Sequence, residues 1–358
     1  MYDAELKVVG AECQALSLTN LIPPGRRPRM VGLGQSSSRV RIPVVGVIHH
    51  EARKLTASAR AFMELLGVHS ALFPSQSRVD ATWADEGIDS GAMIAFASYL
   101  AENARPTYER ITAWVARRIG QSAELVAGAW ETRLRMLDDG RVHIGFICGW
   151  PYSQRFDRPD RTIELLCAPV MAPPRYQGRP IYFTDIIVHR GSPCCAFADL
   201  RGRAYAYNGS ESHSGYNVPR DHLLSLGETS GYFGRTVASG SHQTSIEMVA
   251  DGTVDAAGID STVLDLELTL RPELRGALRV VESIGPGPIP PVVVARSLAE
   301  DLKKQLREVF LAMHEDPEGR VILAGGLIAR FVAVQDADYD PIRSMVRRAQ
   351  TAGFLTLR

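Results

Sequence analysis

The residues best suited to chemistry in this sequence lie close together between positions 207 and 220, where the chain reads YNGSESHSGYNVPR. Three serines and a histidine offer hydrogen-bond donors, and the flanking runs RAYAY and DHLL predict a strand before them and a helix after them. The first backbone amides of such a helix, at 214–217, have no partner inside it and attract anions. The segment therefore indicates an anion site, with an ordinary serine N-cap as the alternative.

Composition limits which partners the protein can have. Its 40 basic and 40 acidic residues cancel over 358 positions, so no overall field attracts nucleic acid or an anionic membrane. The five cysteines are odd in number and show no C-x-x-C spacing, which argues against a disulfide framework and a zinc ribbon. No stretch reaches the roughly 18 apolar residues of a membrane span. We expect a globular protein with no metal, no cofactor, no nucleic-acid partner and no membrane insertion.

The first 90 residues differ from the rest in composition. Proline, glycine, serine and arginine interrupt each apolar run, which predicts an irregular extension at 1–90. GLGQSS, with Gly32 and Gly34, is interpreted as a flexible loop because no strand precedes it, and the adjacent His49, His50 and Glu51 as surface residues. No signal peptide is visible, so the protein is cytoplasmic as written, or periplasmic if the start lies at Met63 or Met93 or if another route exports it.

Alternating strand and helix patterns begin near residue 91. AMIAFASYL reads as a buried strand, and the helix that follows it places Tyr108, Ile111, Val115 and Ile119 on one face. AELVAG, VHIGFICG, IYFTDIIVHR, RAYAY and VDAAGID continue the strands, with helical patterns between them. SLAEDLKKQLREVFLAM predicts an amphipathic helix that opens with a capping box from Ser297 to Glu300. The pattern predicts an α/β fold with two similar units, each a mainly parallel sheet flanked by helices.

Several motifs then resemble one known family. FTDIIVHRGSPCCAFADLRGRAYAYNGSESHSGYNVPR, SGSHQTSIEMVADGTVDAAGIDS, PPVVVARSL and DADYDPIRSM, in this order, are similar to the PhnD-like solute-binding proteins of ABC importers for phosphonate, phosphate and phosphite. The resemblance covers residues 91–358 and implies the type II periplasmic-binding-protein fold. It implies lobe 1 at 91–181 plus 292–358, lobe 2 at 182–291, crossover strands near 181–189 and 289–296, and a ligand cleft between the lobes.

The resemblance also implies which residues bind the ligand. The family's Ser-Thr-Ser-Gly-Tyr anion loop falls on Ser212, His213, Ser214, Gly215 and Tyr216, so a histidine replaces the central threonine. A protonated histidine there could balance a dianion and change which anion is preferred. A further family histidine matches His242, for which a helix cap is the alternative.

The cleft walls are implied less specifically. The family's cleft aromatic falls on Trp130, and the turn CGWPY offers Tyr152, while Trp150 is interpreted as a core residue. Asp260 is either a ligand contact or the cap of the next helix. Tyr99 ends the first strand and borders the cleft or the core. Cys148 has no base beside it in the sequence and is interpreted as a packing residue.

The function implied is capture of a small oxyanion or phosphonate-like ligand by a monomeric solute-binding protein, with an ABC permease as partner and without catalysis. Two other classes remain open. One is an unexported sensor, and the other is an enzyme on the same fold, of the pyrimidine or menaquinone precursor synthesis type. For the enzyme, Ser212, His242 and Asp260 could form a triad, although the chain has no G-x-S-x-G or H-E-x-x-H motif.

Overall fold

We describe residues 93–357 in a computed structural model, and all of them fall within one compact unit of the chain. The predicted extension at 1–90, with its glycine loop and its His49, His50 and Glu51 cluster, lies outside the described residues. Between residues 93 and 357, no helix is both long enough and apolar enough to cross a membrane.

The described residues form eleven strands in two sheets. The strands are β1 (Ile94–Ser98), β2 (Ala123–Leu125), β3 (Ile144–Phe146), β4 (Ile163–Met171), β5 (Ile181–His189), β6 (Ala204–Tyr207), β7 (Arg235–Ala238), β8 (Ala256–Asp260), β9 (Leu278–Pro288), β10 (Val292–Ala295) and β11 (Ile328–Val332). The six-stranded sheet has the order β11-β4-β10-β3-β1-β2, and the five-stranded sheet has the order β7-β6-β8-β5-β9. The chain passes from one sheet to the other between β4 and β5 and returns between β9 and β10.

Helices cover both sheets. They are α1 (Arg105–Ile119), α2 (Trp130–Asp138), α3 (Gly149–Phe156), α4 (Val218–Ser225), α5 (His242–Ala250), α6 (Ser261–Leu270), α7 (Leu274–Ala277), α8 (Glu300–Ala312), α9 (Pro317–Ala324) and α10 (Asp340–Thr351). A π-helical turn, His213–Asn217, precedes α4 directly. The arrangement is the two-lobe α/β fold that the sequence predicted.

Both sheets are mixed, which corrects the prediction of mainly parallel sheets. β1 pairs in parallel with β2 and β3, and β6 pairs in parallel with β7 and β8, because a helix joins successive strands of these sets. The strands beside the two passages between lobes run antiparallel to their neighbours: β10 to β3 and β4, and β5 to β8 and β9. The alternation in the sequence identified the parallel strands but not the direction of the strands that connect the lobes.

The helical periods of the sequence mark the buried faces correctly. In α1, Tyr108, Ile111, Val115 and Ile119 are buried, and Gly120 ends the helix with a left-handed φ of 69°. In α8, Leu306 and Phe310 are buried, as the predicted amphipathic helix requires. Its predicted capping box is wrong, because the helix begins at Glu300 with Ala299 as N-cap and has no side-chain cap.

Candidate ligand-binding site

A cavity of about 620 Å³ lies between the two lobes. Lobe 1 contributes residues that follow β1 and β3 and the start of α2, and lobe 2 contributes residues that follow β6, β7 and β8. The carboxyl ends of neighbouring parallel strands meet at one edge of a sheet, where α/β proteins commonly bind ligands. Six of the predicted site residues line this cavity: Tyr99, Trp130, Ser212, Ser214, His242 and Asp260.

The structure gives Ser212 and Ser214 different roles. Ser212 is the N-cap of the π-helical turn, and its hydroxyl accepts a hydrogen bond of 3.0 Å from the Gly215 amide. Ser214 is 2% exposed, and its Oγ lies 3.2 Å from Nε2 of His242. Ser212 is therefore the serine N-cap that the sequence offered as the alternative to an anion site, and Ser214 is a buried polar group on the cavity wall.

His242 is the first residue of α5 and lines the cavity. The cap of this helix is Ser241, which accepts from the Thr244 amide at 3.0 Å, so the cap alternative for His242 is wrong. Burial lowers the pKa of His242 to about 3, so the ring is neutral near pH 7. Its Nδ1 is buried without a partner among the described residues. Each of these two neutral groups carries one proton, and the contact between them uses one of the two. The pair therefore has one donor left for a ligand, which is the Ser214 hydroxyl or Nδ1–H of His242 according to the tautomer.

His213 does not line the cavity, contrary to the expectation from the anion loop. The side chain is 1% exposed, and its Nδ1 lies 3.1 Å from Nδ2 of Asn217, inside lobe 2. Burial lowers its pKa to about 3. A protonated His213 that balances a dianion is therefore not available near neutral pH. The π-helical turn brings Ser214 to the cavity and directs the preceding side chain into the core.

Gly215 and Tyr216 also lie away from the cavity lining. A Cβ atom on Gly215 would collide with Oδ1 of Asn208, so this glycine is needed for contact with a neighbouring side chain rather than with a ligand. The hydroxyl of Tyr216 donates to the Leu355 carbonyl at 3.2 Å and accepts from the Leu357 amide at 3.0 Å. The second half of the predicted loop thus anchors the C-terminal segment to lobe 2.

Tyr152 was predicted as a cleft wall, and the structure places it in the core instead. It is fully buried, its hydroxyl donates to Asp336 at 2.8 Å, and its ring packs edge-on against Tyr339 at 4.8 Å between centroids. Trp150 is also buried outside the cavity, with the Arg220 guanidinium 5.4 Å from its ring. Trp130 is the tryptophan of lobe 1 that lines the cavity.

Asp260 caps the next helix, which is one of the two roles that the sequence left open, and it also lines the cavity. Its Oδ1 accepts from the backbone amide of Thr262 at 2.8 Å and from the Thr262 hydroxyl at 2.7 Å, which makes it the N-cap of α6. The same side chain is 7% exposed and lines the cavity. Burial raises its pKa to about 6. Asp260 is therefore a cap that can also hold a proton beside a bound anion.

Ser212, His242 and Asp260 do not form the triad that the enzyme alternative requires. Ser212 is bound to Gly215, and His242 contacts Ser214 rather than Ser212. No carboxylate among the described residues orients Nδ1 of His242, so the catalytic arrangement of serine, histidine and aspartate is not formed. Cys148 lines the cavity, but burial raises the pKa of its thiol to about 11, which keeps it protonated.

The sequence interpretation missed several polar residues of the cavity, among them Arg133, Asn208 and Gln243. Asn208 and Gln243 each carry a buried polar atom without a partner in the described part of the chain. A signal for Arg133 was present, because residues three apart on a helix share a face and Trp130 had been placed at the cleft. For Asn208 the available signal was its position at the start of the serine-rich segment, and for Gln243 its position next to His242.

The chain matches a family model described as "ABC transporter, phosphonate, periplasmic substrate-binding protein" over residues 93–339. A curated relative, the phosphonates-binding periplasmic protein of Escherichia coli (strain K12), is 30% identical over 173 residues. The match covers 47% of this chain and 51% of the relative, so the chain spans about half the length of that protein.

Solved structures show the same fold. A binding protein component of an ABC phosphonate transporter from Pseudomonas aeruginosa superposes with a TM-score of 0.64 and 21% identity, over 75% of this chain and 90% of that one. The PhnD1 protein of Prochlorococcus marinus (MIT 9301), solved in complex with methylphosphonate, superposes with a TM-score of 0.64 and 14% identity, over 72% and 98%. From the extent of the family match, this chain belongs to the phosphonate-binding, periplasmic substrate-binding proteins of ABC transporters.

Proposed function

We propose that this protein binds a phosphonate or a similar tetrahedral oxyanion in the cavity between its lobes and delivers it to an ABC permease. One observation carries the proposal: Ser214 and His242 are buried side by side on the cavity wall, 3.2 Å apart, and this neutral pair keeps one hydrogen-bond donor for a ligand. A buried neutral donor suits reversible anion binding because it hydrogen-bonds an anion oxygen without a covalent step. Membership of the family supports the same function.

The ligand would lie between the residues of lobe 1 and those of lobe 2. In this proposal Trp130 and Tyr99 contact it from lobe 1 (91–181 plus 292–358), and Ser212, Ser214, His242 and Asp260 contact it from lobe 2 (182–291). Closure of the lobes around a ligand would then bring the two sets together. We propose binding without turnover, since the cavity has no activated nucleophile among the described residues. The proposed binding unit is a monomer.

We place the protein in the periplasm. Support comes from the Escherichia coli relative and from the family description, which both name a periplasmic protein, whereas the cytoplasmic interpretation of the sequence has no support in these comparisons. A substrate-binding protein of this kind meets its permease on that side of the membrane. Fractionation of the native protein, with N-terminal sequencing, tests the location.

Ligand binding is tested by thermal unfolding of the full chain with methylphosphonate, phosphate, sulfate and acetate. A ligand present at about a hundred times its dissociation constant stabilises the folded state by about 2.7 kcal/mol. Stabilisation by methylphosphonate with recovery of intact ligand is expected. A flat response to all four compounds would overturn the proposed function, and consumption of the ligand would favour the enzyme alternative.

A further inference from the structure

Arg133 is a buried cation in the wall of the ligand cavity. It lies on the first turns of α2, three residues after Trp130, and is 6% exposed. Of the described residues that line the cavity, it is the one with a permanent positive charge. Neither the family resemblance nor the sequence patterns assign it a role.

The guanidinium has few partners within residues 93–357. Its nearest carboxylate is Glu102, at 4.0 Å from Nη1, and the Glu102 side chain is 65% exposed. Its Nε is buried and has no hydrogen-bond partner there. A buried charge costs free energy unless it is paired and hydrogen-bonded. The side chain therefore has unused donors in a position that solvent hardly reaches.

Other arginines of the described region with little exposed side chain make more contacts. Arg155 forms two bonds to Asp138, at 2.9 and 3.1 Å. Arg343 contacts Asp157, Asp336 and Asp340. Arg220 is without a carboxylate contact in the described region, and its Nε is also buried without a partner, but it donates to Asn217 and to the Leu355 carbonyl. Arg133 differs from all three because its guanidinium makes no hydrogen bond within residues 93–357 and because the residue lines the cavity.

We propose that Arg133 forms a second oxyanion subsite, and that the preferred ligand carries a carboxylate or another oxyanion in addition to its phosphonate group. This inference rests on the proposed function, which assigns the phosphonate to Ser214 and His242. A guanidinium binds a carboxylate through two parallel N–H···O hydrogen bonds that are strengthened by opposite charges. An uncharged group on the ligand cannot form such a charge-assisted pair. The cavity of about 620 Å³ has room for a group beyond a single tetrahedral oxyanion.

The acidic residues of the cavity do not oppose this assignment. Glu102, Glu131 and Glu211 are exposed, so water and salt screen their charges. Asp260 is buried, but it belongs to the lobe 2 wall, where its carboxyl group caps α6. Arg133 extends from the lobe 1 wall, and the two ends of a ligand would therefore meet different surroundings.

The test is titration calorimetry of the full chain with methylphosphonate, phosphonoacetate, 3-phosphonopropionate and the uncharged isostere phosphonoacetamide. We expect the better of the two phosphonocarboxylates to bind about 10- to 100-fold more tightly than methylphosphonate, as for a hydrogen-bonded buried charge pair. Phosphonoacetamide should lack this advantage. In Arg133→Gln the preference should disappear, because the phosphonocarboxylates should lose more affinity than methylphosphonate does, and Arg133→Lys should keep part of the preference.

Arg135→Gln is the matched control, because Arg135 is exposed on the same helix and should leave every affinity unchanged. If the unaltered protein binds methylphosphonate but prefers neither phosphonocarboxylate, the second subsite is wrong and the proposed function stands. If it binds none of the compounds, both are wrong. Equal losses for methylphosphonate and the phosphonocarboxylates in Arg133→Gln would show that Arg133 acts on lobe closure instead and would overturn the subsite.

Discussion

Ser214 and His242 are separated by 28 positions in the chain, yet Oγ of the first lies 3.2 Å from Nε2 of the second. One residue belongs to the π-helical turn before α4, and the other begins α5. The sheet order brings the two together, because β6 and β7 are neighbours and each leads into one of these helices. The contact forms a polar surface in the cavity that neither segment of sequence contains alone.

The two serines of the anion loop should respond differently to alanine. Ser214→Ala should weaken methylphosphonate binding by roughly 1 to 3 kcal/mol, because a desolvated anion oxygen loses a donor. Ser212→Ala, whatever its effect on binding, should lower the free energy of unfolding by about 1 kcal/mol, because it removes the N-cap of the π-helical turn. Calorimetry and urea unfolding measure the two effects. Loss of stability without loss of affinity in Ser214→Ala would contradict the assignment.

Trp130 should report ligand binding by fluorescence. It is half-buried at the cavity, whereas Trp114 and Trp150 are buried outside it, so a ligand changes the surroundings of Trp130 first. Trp130→Phe should abolish the fluorescence change on addition of methylphosphonate, and Trp114→Phe serves as the control that keeps it. A full signal in Trp130→Phe would remove this residue from the site.

Tyr152→Phe should separate core from site. The change removes the hydrogen bond to Asp336 and leaves the ring packed against Tyr339. We expect a loss of about 1 kcal/mol in the free energy of unfolding and an unchanged ligand affinity. Urea unfolding and calorimetry give the two values. A clear loss of affinity would restore Tyr152 to the cleft, where the sequence had placed it.

Acid should destabilise the protein through its buried histidines. Burial lowers the pKa of His213 and His242 to about 3, against about 6.5 in an unfolded chain. Between these values the unfolded state binds more protons, so stability falls as the pH is lowered through this window. His213→Gln removes one of the two groups and should flatten the decline by up to roughly 1.4 kcal/mol per pH unit.

Urea unfolding between about pH 4.5 and pH 7 measures this slope for both proteins. Parallel curves for the unaltered protein and His213→Gln would show that His213 does not titrate as a buried group.

The sequence predicted the strands, the helices and the two-lobe fold, because hydrophobic periods are local and the motifs occur in the family's order. It also identified six residues of the cavity. It failed where the outcome depends on contacts between distant segments. Tyr152 pairs with Asp336, which is 184 positions away. The direction of His213 depends on a π-helical turn, for which the residue types give no local signal.

Arg133 shows a different limit of sequence interpretation. Its helix was predicted, and its position relative to Trp130 follows from helical spacing. Whether its charge is paired, however, depends on the distance from its guanidinium to the surrounding carboxylates, and only the packed structure gives that distance. An arginine on an amphipathic helix is usually solvated, so the residue type alone favoured the surface.

Asp260 should make anion binding depend on pH. Burial raises its pKa to about 6, so above that pH the side chain is mostly ionised and repels a bound anion in the same cavity. Binding of methylphosphonate should therefore weaken as the pH rises from about 6 to 8. Asp260→Asn removes this charge and retains a side-chain oxygen that can cap α6.

The ratio of the two proteins' affinities isolates Asp260, because the ligand's own titration affects both equally. Above pH 6, we expect the methylphosphonate affinity of Asp260→Asn to rise relative to that of the unaltered protein by up to about 10-fold per pH unit. Below about pH 5 the two affinities should be equal. Calorimetry over this range gives the ratio. An affinity ratio that does not change with pH would mean that Asp260 does not face the bound anion and only caps α6. A loss of affinity in Asp260→Asn at every pH would mean that the ligand donates a hydrogen bond to this carboxylate.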